Sequence, residues 1–190
     1  KDTDYPLQLK GSLVNDERFH ARIIDPTPIG VDDLFFGLQI DTSDVGISNL
    51  SVHFLIYKQV CTNGLVVSKF GGEIYRQKHV GITPVAFKRE LVTNLEGIPA
   101  LADQMKNRII LLQDEKLKPS DLKLGDEMSR LMLDFKNKTD VSDKILERVV
   151  DLVPQYGTNR WGLINAVTDV AQSFPLDRRM QLENYASHLL

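Results

Sequence analysis

The chain contains few of the residues that most often mark a chemical activity. Its 190 residues include one cysteine, one tryptophan and four histidines. A single cysteine cannot form a disulfide within the chain, which suits a reducing compartment. Cysteine and histidine never recur at a spacing of two to four residues. The sequence therefore contains no zinc framework, and we predict no bound metal.

Long apolar runs are absent as well. No run approaches the roughly 18 residues that cross a bilayer, and residues 1–10 contain no apolar signal region. The apolar content of 42% and the charged content of 26% are ordinary for a soluble globular protein. We therefore predict a cytoplasmic protein that does not bind membranes and is long enough to bury a core.

Nucleotide-binding loops are missing too. Gly71-Gly72 lacks the lysine and hydroxyl residue of a phosphate-binding loop, and no dinucleotide-binding glycine pattern occurs, so we predict no cofactor. Asp32-Asp33, Asp41 and Asp44 could bind a hard cation through oxygen. The EF-hand pattern is absent, however, and acidic turns are commonly only solvated.

The charge of the chain is weak overall and uneven along its length. The net charge of −3 argues against a strongly basic nucleic-acid-binding protein. Residues 55–113 nevertheless contain eight Lys or Arg against four Asp or Glu, whereas residues 1–54 contain four against nine. This basic middle could form a local anion-binding face, or its basic side chains could simply be solvated.

The first half of the chain has the pattern of β-strands. Runs rich in Val, Ile, Phe and Tyr are separated by Gly, Pro, Asn and Asp, which predicts five or six strands joined by short turns. The predicted strands are 9–14, 18–24, 34–40, 51–60, 65–70 and 73–80. Short connections favour a mainly antiparallel sheet within residues 1–82.

The second half has the pattern of helices. Thr83-Pro84 is a favourable helix start, and apolar residues recur at helical spacing from there on. Gly97 and Pro99 predict a kink or a split in this long helix, which we expect to cover the sheet. Further helices are predicted at 126–135, 142–152, 159–174 and 177–190. The order indicates an α+β fold, with a β-rich part at 1–116 and a helical part at 117–190 packed as one domain.

The lone cysteine stands beside a turn signal. Asn63-Gly64 tolerates the positive φ of a type I′ turn, which predicts a hairpin; the alternative is a tight bend held by the Asn63 side chain. Cys61 could act as a nucleophile if a histidine served as its base. The sequence offers His20, His53 and His79 for that role. Because apolar residues precede Cys61, we predict that it packs in the core and that the chain has no catalytic residue.

Three short motifs resemble a known family. They are Val60-Cys61-Thr62-Asn63-Gly64-Leu65, His79-Val80-Gly81 and Asn165-Ala166-Val167-Thr168. Their residues and order resemble the phage/plasmid-like protein family, a group of unknown function found in phages, prophages and plasmids. The resemblance implies a mobile-element origin and a cytosolic setting, and it implies no activity. Asn165 and Thr168, three apart on one helix, predict packing and hydrogen bonds across a helix interface.

The basic middle supplies the candidate nucleic-acid-binding residues. Arg76 and Lys78 stand two apart in a strand and so face the same way, and Lys88 and Arg89 follow in the first turns of the helix. Tyrosines beside such a positive groove could stack on unpaired bases. The full predicted set is Lys58, Lys69, Arg76, Lys78, Lys88, Arg89, Tyr57 and Tyr75. The alternative is an ordinary exposed sheet face.

The order of elements resembles, in architecture alone, single-strand annealing proteins of phages. Together with the basic middle, this favours a non-enzymatic protein that binds or anneals single-stranded DNA in recombination. The alternative is a phage protein that binds a host protein, which the acidic N-terminal segment favours. The apolar C-terminal end, with Tyr185, Leu189 and Leu190, could pack in its own chain or dock on a second copy. We predict a homo-oligomer.

Overall fold

The chain folds as an antiparallel sheet followed by helices, which confirms the predicted α+β fold. A computed structural model describes residues 8–14, 19–43, 49–58, 63–67, 73–78, 84–123 and 129–190. The strands are β1 (Gln8–Val14), β2 (Phe19–Pro28), β3 (Leu34–Thr42), β4 (Leu50–Lys58), β5 (Asn63–Val67) and β6 (Glu73–Gln77). The helices are α1 (Pro84–Leu95), α2 (Ile98–Asp114), α3 (Arg130–Thr139), α4 (Asp143–Tyr156), α5 (Arg160–Ala171) and α6 (Leu176–His188). None of these helices is both long and apolar enough to span a membrane.

β4 organises the sheet because it pairs with three strands. The strand order is β1-β2-β3-β4-β5, every pair is antiparallel, and β6 also pairs with β4. Residues 54–58 of β4 lie beside β5, and residues 50–53 lie beside β6. Since β3 occupies the opposite edge of β4, β5 and β6 follow one another along a single edge.

The predicted turn at Asn63-Gly64 is wrong. These residues are the first two of β5, and they pair with Lys58 and Tyr57 of β4. Because the ladder runs through Asn63-Gly64 to the last residue of β4, these two residues lie within a strand and do not form the turn between β4 and β5. Cys61 lies outside the described residues.

The two faces of the sheet differ because side chains alternate in direction along each strand. One face is apolar, with Val52, Phe54 and Tyr75 buried there and the rings of Phe36 and Phe54 4.9 Å apart. The opposite face has two halves. One half is an apolar cluster of Ile24, Leu55, Tyr57 and Phe35, and the other half is polar.

β2 and β3 approach each other closely at Gly37. This residue pairs with Ile24. A Cβ built on Gly37 would lie 2.3 Å from the backbone oxygen of Ile23, far inside van der Waals contact. Any larger residue would therefore push the two strands apart.

The long helix predicted from Pro84 is split in two, as Gly97 and Pro99 suggested. α1 ends at Leu95 and α2 begins at Ile98, with Pro99 in the first turn, where its missing N–H costs no helical hydrogen bond. α1 packs against β6, and Nδ2 of Asn94 donates a hydrogen bond of 2.6 Å to the backbone oxygen of Ile74. Thr83, the predicted cap, lies outside the described residues.

The chain divides into two compact units, residues 1–106 and 107–190. The division falls within α2, whereas the sequence analysis placed it at 116/117. That the two parts pack as one domain stays a prediction.

α5 is the central helix of the second unit. Ten of its twelve residues are buried, so it is enclosed on all sides rather than along one stripe. Asn159 caps its start, because Oδ1 accepts from the backbone N–H of Gly162 at 2.7 Å while Nδ2 donates to the backbone oxygen of Gln113 at 2.9 Å. α4 and α6 pack against α5. α4 continues past Pro154 to Tyr156, four residues beyond the predicted end at 152.

The C-terminal end packs within its own unit. Leu189 and Leu190 are buried, and their backbone oxygens accept hydrogen bonds from Nε of Arg160 at 3.2 Å and of Arg108 at 2.5 Å. The ring of Tyr185 lies 4.9 Å from that of Phe135. Of the two predicted alternatives, packing within the chain is therefore confirmed. The predicted homo-oligomer loses this end as an interface and stays a prediction.

Replacing Gly37 by alanine is expected to lower the free energy of unfolding by about 1–3 kcal/mol, because the new methyl group overpacks the β2–β3 interface. Gly97→Ala is the matched control. A Cβ on Gly97 would lie 3.5 Å from the backbone oxygen of Asn94, which is an ordinary contact. Urea unfolding followed by circular dichroism measures both variants. Equal midpoints for the two variants would contradict this account of Gly37.

Candidate nucleic-acid interface

Two rows of polar side chains cross one face of the sheet from β2 to β6. Directly opposed residues of antiparallel strands point to the same face, so the strand register defines each row. One row contains His20, Asp41, Ser51 and Arg76. The adjacent row contains Arg22, Gln39, His53 and Glu73. The two rows form the polar half of this face.

Four of these side chains form a continuous hydrogen-bonded chain. Nε of Arg22 donates to Oε1 of Gln39 at 3.0 Å, and Nε2 of Gln39 donates to Oδ2 of Asp41 at 2.9 Å. The other carboxylate oxygen, Oδ1, lies 2.5 Å from Nδ1 of His20. The Gln39 amide is thus oriented by a cation at one end and an anion at the other.

The surroundings of Asp41 favour its ionised form. Burial by itself would raise the pKa of this carboxyl group. The hydrogen bond and positive charge of His20, together with the hydrogen bond from Gln39, outweigh burial and lower the pKa. Asp41 therefore acts as the fixed negative charge of the network.

His53 lies in the second row and is held differently. Its Nδ1 atom is buried and has no hydrogen-bond partner within the described residues. Burial lowers the pKa of His53, as does Arg76, whereas the charges of Asp41 and Glu73 oppose that shift. The neutral ring is consequently favoured in the folded protein.

A histidine oriented by an aspartate is the arrangement of a general base, but here it is enclosed. His20 is 7% exposed and Gln39 is 2% exposed. We interpret the network as structural, because it joins β2 to β3 across the directly paired residues His20–Asp41 and Arg22–Gln39. This network was not predicted from the sequence. The available signal was His20 and Arg22, two apart in one predicted strand, followed by Gln39 and Asp41, two apart at the end of the next, where Asp41 lies one residue past the predicted strand.

The polar rows end on β6 at an ion pair. Nε of Arg76 lies 2.8 Å from Oε2 of Glu73, and both side chains are exposed. Beside them, a groove of about 490 Å³ opens between β6, α1 and the start of α2. The rows thus lead from the buried network to the accessible part of the first unit.

Four of the predicted nucleic-acid-binding residues are exposed on two neighbouring elements. Arg76 and Lys78 stand on and just after β6, and Lys88 and Arg89 stand on α1, which packs against β6. Within the part of the chain that the structure describes, Lys78, Lys88 and Arg89 form no ion pair. We call these four residues the β6–α1 cations.

Three other predicted residues are placed differently. Nζ of Lys58 lies 2.7 Å from Oδ2 of Asp32, so its charge is already compensated. Tyr57 is 7% exposed and Tyr75 is 4% exposed. Their rings fill the apolar parts of the sheet, so the prediction that they stack on bases is wrong. The physical reason is that both faces of the sheet are buried at these positions: Tyr75 lies on the apolar face beside Val52, and Tyr57 lies in the apolar cluster of the opposite face. Lys69 and His79 lie outside the described residues.

The motif on α5 contributes packing and no accessible polar group. Asn165 and Thr168 are both buried. Nδ2 of Asn165 donates to the backbone oxygen of Trp161 at 2.8 Å, and Oγ1 of Thr168 donates to the backbone oxygen of Asn165 at 3.0 Å. These hydrogen bonds stay within the helix instead of crossing an interface, which corrects the predicted role.

The residues that the structure describes do not form a metal site. Among the described residues, no three His, Cys, Asp or Glu side chains converge as metal ligands would. Asp32 and Asp33 both adopt positive φ, at 49° and 50°, in the turn between β2 and β3. Asp32 is engaged there by Lys58.

Comparison of the chain with protein-family models, with curated proteins and with solved structures found no match.

His53→Gln is expected to flatten the dependence of stability on pH between 7 and 5. The folded protein favours the neutral ring, whereas the unfolded chain binds a proton near pH 6.5. Wild-type stability should therefore fall as the pH drops below that value, and the variant should lose less. Urea unfolding midpoints of both proteins at pH 7 and pH 5 test this prediction. The difference between wild type and variant at pH 7 measures any packing defect, and the further change at pH 5 measures the effect of titration. Parallel pH profiles would contradict the assignment.

Proposed function

We propose that the chain binds single-stranded nucleic acid through the β6–α1 cations and performs no chemistry on it. One observation carries this proposal: Arg76, Lys78, Lys88 and Arg89 are all exposed on two elements that pack against each other. Clustered cations neutralise the phosphates of a strand and release its counterions, which supplies most of the affinity of non-specific binding.

A single strand suits this surface better than a duplex. The groove beside Arg76 lies between β6, the end of α1 and the start of α2, and its volume of about 490 Å³ is sufficient for one unstacked base. The net charge of −3 also restricts binding to a local patch instead of a whole basic face. The proposal agrees with the mobile-element origin that the family resemblance implies, although that resemblance by itself implies no activity.

Neutralising two of the β6–α1 cations should weaken binding and reduce its dependence on salt. For the variant Lys88→Gln with Arg89→Gln, we expect the slope of log K against log salt to become less steep by about 1.4, roughly 0.7 for each lost phosphate contact. Fluorescence anisotropy with a labelled 20-nucleotide strand measures this slope between low and moderate salt.

The matched control is Lys123→Gln with Lys144→Gln, which removes the same charge from exposed positions in the helical unit. This control should leave the slope unchanged. Absence of binding even at low salt, or an equal effect of both double variants, would reject the β6–α1 cations as the binding surface.

A second candidate function rests on the outer face of α1. Val85 is 69% exposed and Val92 is 50% exposed, and Lys88 and Arg89 lie between them at helical spacing. Exposed apolar side chains flanking cations fit a partner protein whose surface is acidic and apolar. This is the host-protein alternative that the sequence analysis raised.

Replacing both valines with serine separates the two functions. If the face binds nucleic acid through its cations, Val85→Ser with Val92→Ser should leave oligonucleotide affinity within about twofold, because phosphate contacts need no apolar groups. If it binds a protein, a partner retained from nuclease-treated lysate should be lost with this variant and kept with Leu133→Ser. Leu133 is an exposed leucine on α3 and serves as the control.

A further inference from the structure

The groove beside Arg76 combines apolar walls with polar groups at defined places. Ile74, Ile98 and Leu101 supply the apolar walls, and Glu73, Asn94 and Gln104 supply the polar groups. Its volume of about 490 Å³ lies within the range of pockets that take small organic groups. Apolar side chains in the lining suit the faces of a flat ring, whose polar atoms lie along its edge.

The fixed polar groups of the groove present two hydrogen-bond acceptors. Nδ2 of Asn94 donates to the backbone oxygen of Ile74 at 2.6 Å, which sets the amide plane and leaves Oδ1 as an acceptor beside the second N–H of Nδ2. Oε2 of Glu73 is held by Nε of Arg76 at 2.8 Å, so Oε1 of the same carboxylate remains to accept. Two oriented acceptors call for a ligand edge with hydrogen-bond donors.

Arg76 joins the groove to the β6–α1 cations. It holds Glu73 at the groove's edge, and its side chain is 56% exposed, so its remaining guanidinium donors can reach a phosphate. A ligand with a ring in the groove and a phosphate outside it would satisfy both parts of the site. A nucleotide within a single strand has this form.

We propose that the groove holds one unpaired base that carries an exocyclic amino group. Cytosine, adenine and guanine carry such a group, whereas thymine carries no amino group and offers a single imino N–H between two carbonyl acceptors. The amino group donates to Glu73 and Asn94, and the ring lies between the apolar walls. This inference rests on the proposed function, to which it adds a preference among bases.

Strands of equal charge and different bases test the preference. Anisotropy with labelled 20-mers of dC, dT and abasic sites should show dC bound about five- to tenfold more tightly than dT, the gain expected of about one net hydrogen bond. Glu73→Gln should narrow the dC-to-dT ratio, because an amide can also donate to thymine. It should at the same time strengthen binding of all strands, since a negative charge is removed.

Filling the groove provides the structural control. Ala100→Trp places a large ring at an exposed position in the groove lining, and Asn107→Trp places the same ring at an exposed position of α2 outside that lining. Only the first should abolish the preference for dC. Binding of the abasic strand and its salt dependence should survive in both variants.

Methyl NMR of the isoleucines and leucines reads the groove directly. Titration with millimolar dCMP should shift the signals of Ile74, Ile98 and Leu101, with smaller shifts for dTMP and none in Ala100→Trp. Equal affinity for dC and dT strands would overturn the base preference, and salt-dependent binding of both strands would still support the proposed function. If no strand binds, the proposed function fails. In that case, selective shifts with dCMP would still support a base site in the groove, and their absence would reject it.

Discussion

The register of β2, β3 and β4 is the constraint on which the rest of the first unit depends. Arg22, Gln39, Asp41 and His20 form one hydrogen-bonded chain only when each residue stands opposite its present partner. A slip by one residue would turn these polar groups to the apolar face, where Val52 and Phe54 are buried. Such a slip would leave a charge unpaired among apolar side chains, so the penalty selects a single register.

That register also positions the accessible surface. Because β4 pairs with β3 along its whole length, only its other edge remains for β5 and β6. Placement of β6 beside residues 50–53 brings Glu73 and Arg76 to the ends of the two polar rows, and α1 packs on β6 through Asn94. The groove and the β6–α1 cations are thus consequences of where one short strand pairs.

The charges at this surface have opposing effects on the binding of an anion. The cations of β6 and α1 favour an anionic strand, whereas Glu73 and the acidic first part of the chain oppose it. An ion pair such as Glu73–Arg76 is exposed and contributes little to stability. In the proposed site, this carboxylate selects between base edges at a small cost in affinity.

The sequence by itself determined the element types and their order. Alternating apolar residues predicted strands close to all six, and helical spacing with Gly97 and Pro99 predicted the division between α1 and α2, because these signals are local. Local signals also misled at Asn63-Gly64, where strand pairing overrode the turn preference of the dipeptide. The structure exposes four basic side chains, as their charge by itself predicts: Arg76, Lys78, Lys88 and Arg89.

Only the tertiary structure decided which residues meet. Tyr57 and Tyr75 look like stacking groups in sequence, yet both are buried, on opposite faces of the sheet. His20 and Asp41 are 21 residues apart, so nothing local reveals their hydrogen bond. The charge of Lys58 is compensated by Asp32, which is 26 residues away, and the sequence does not indicate that these two residues meet. Pairing across strands depends on register, and register is set by the sum of many contacts on both faces of the sheet, which no single stretch of sequence contains.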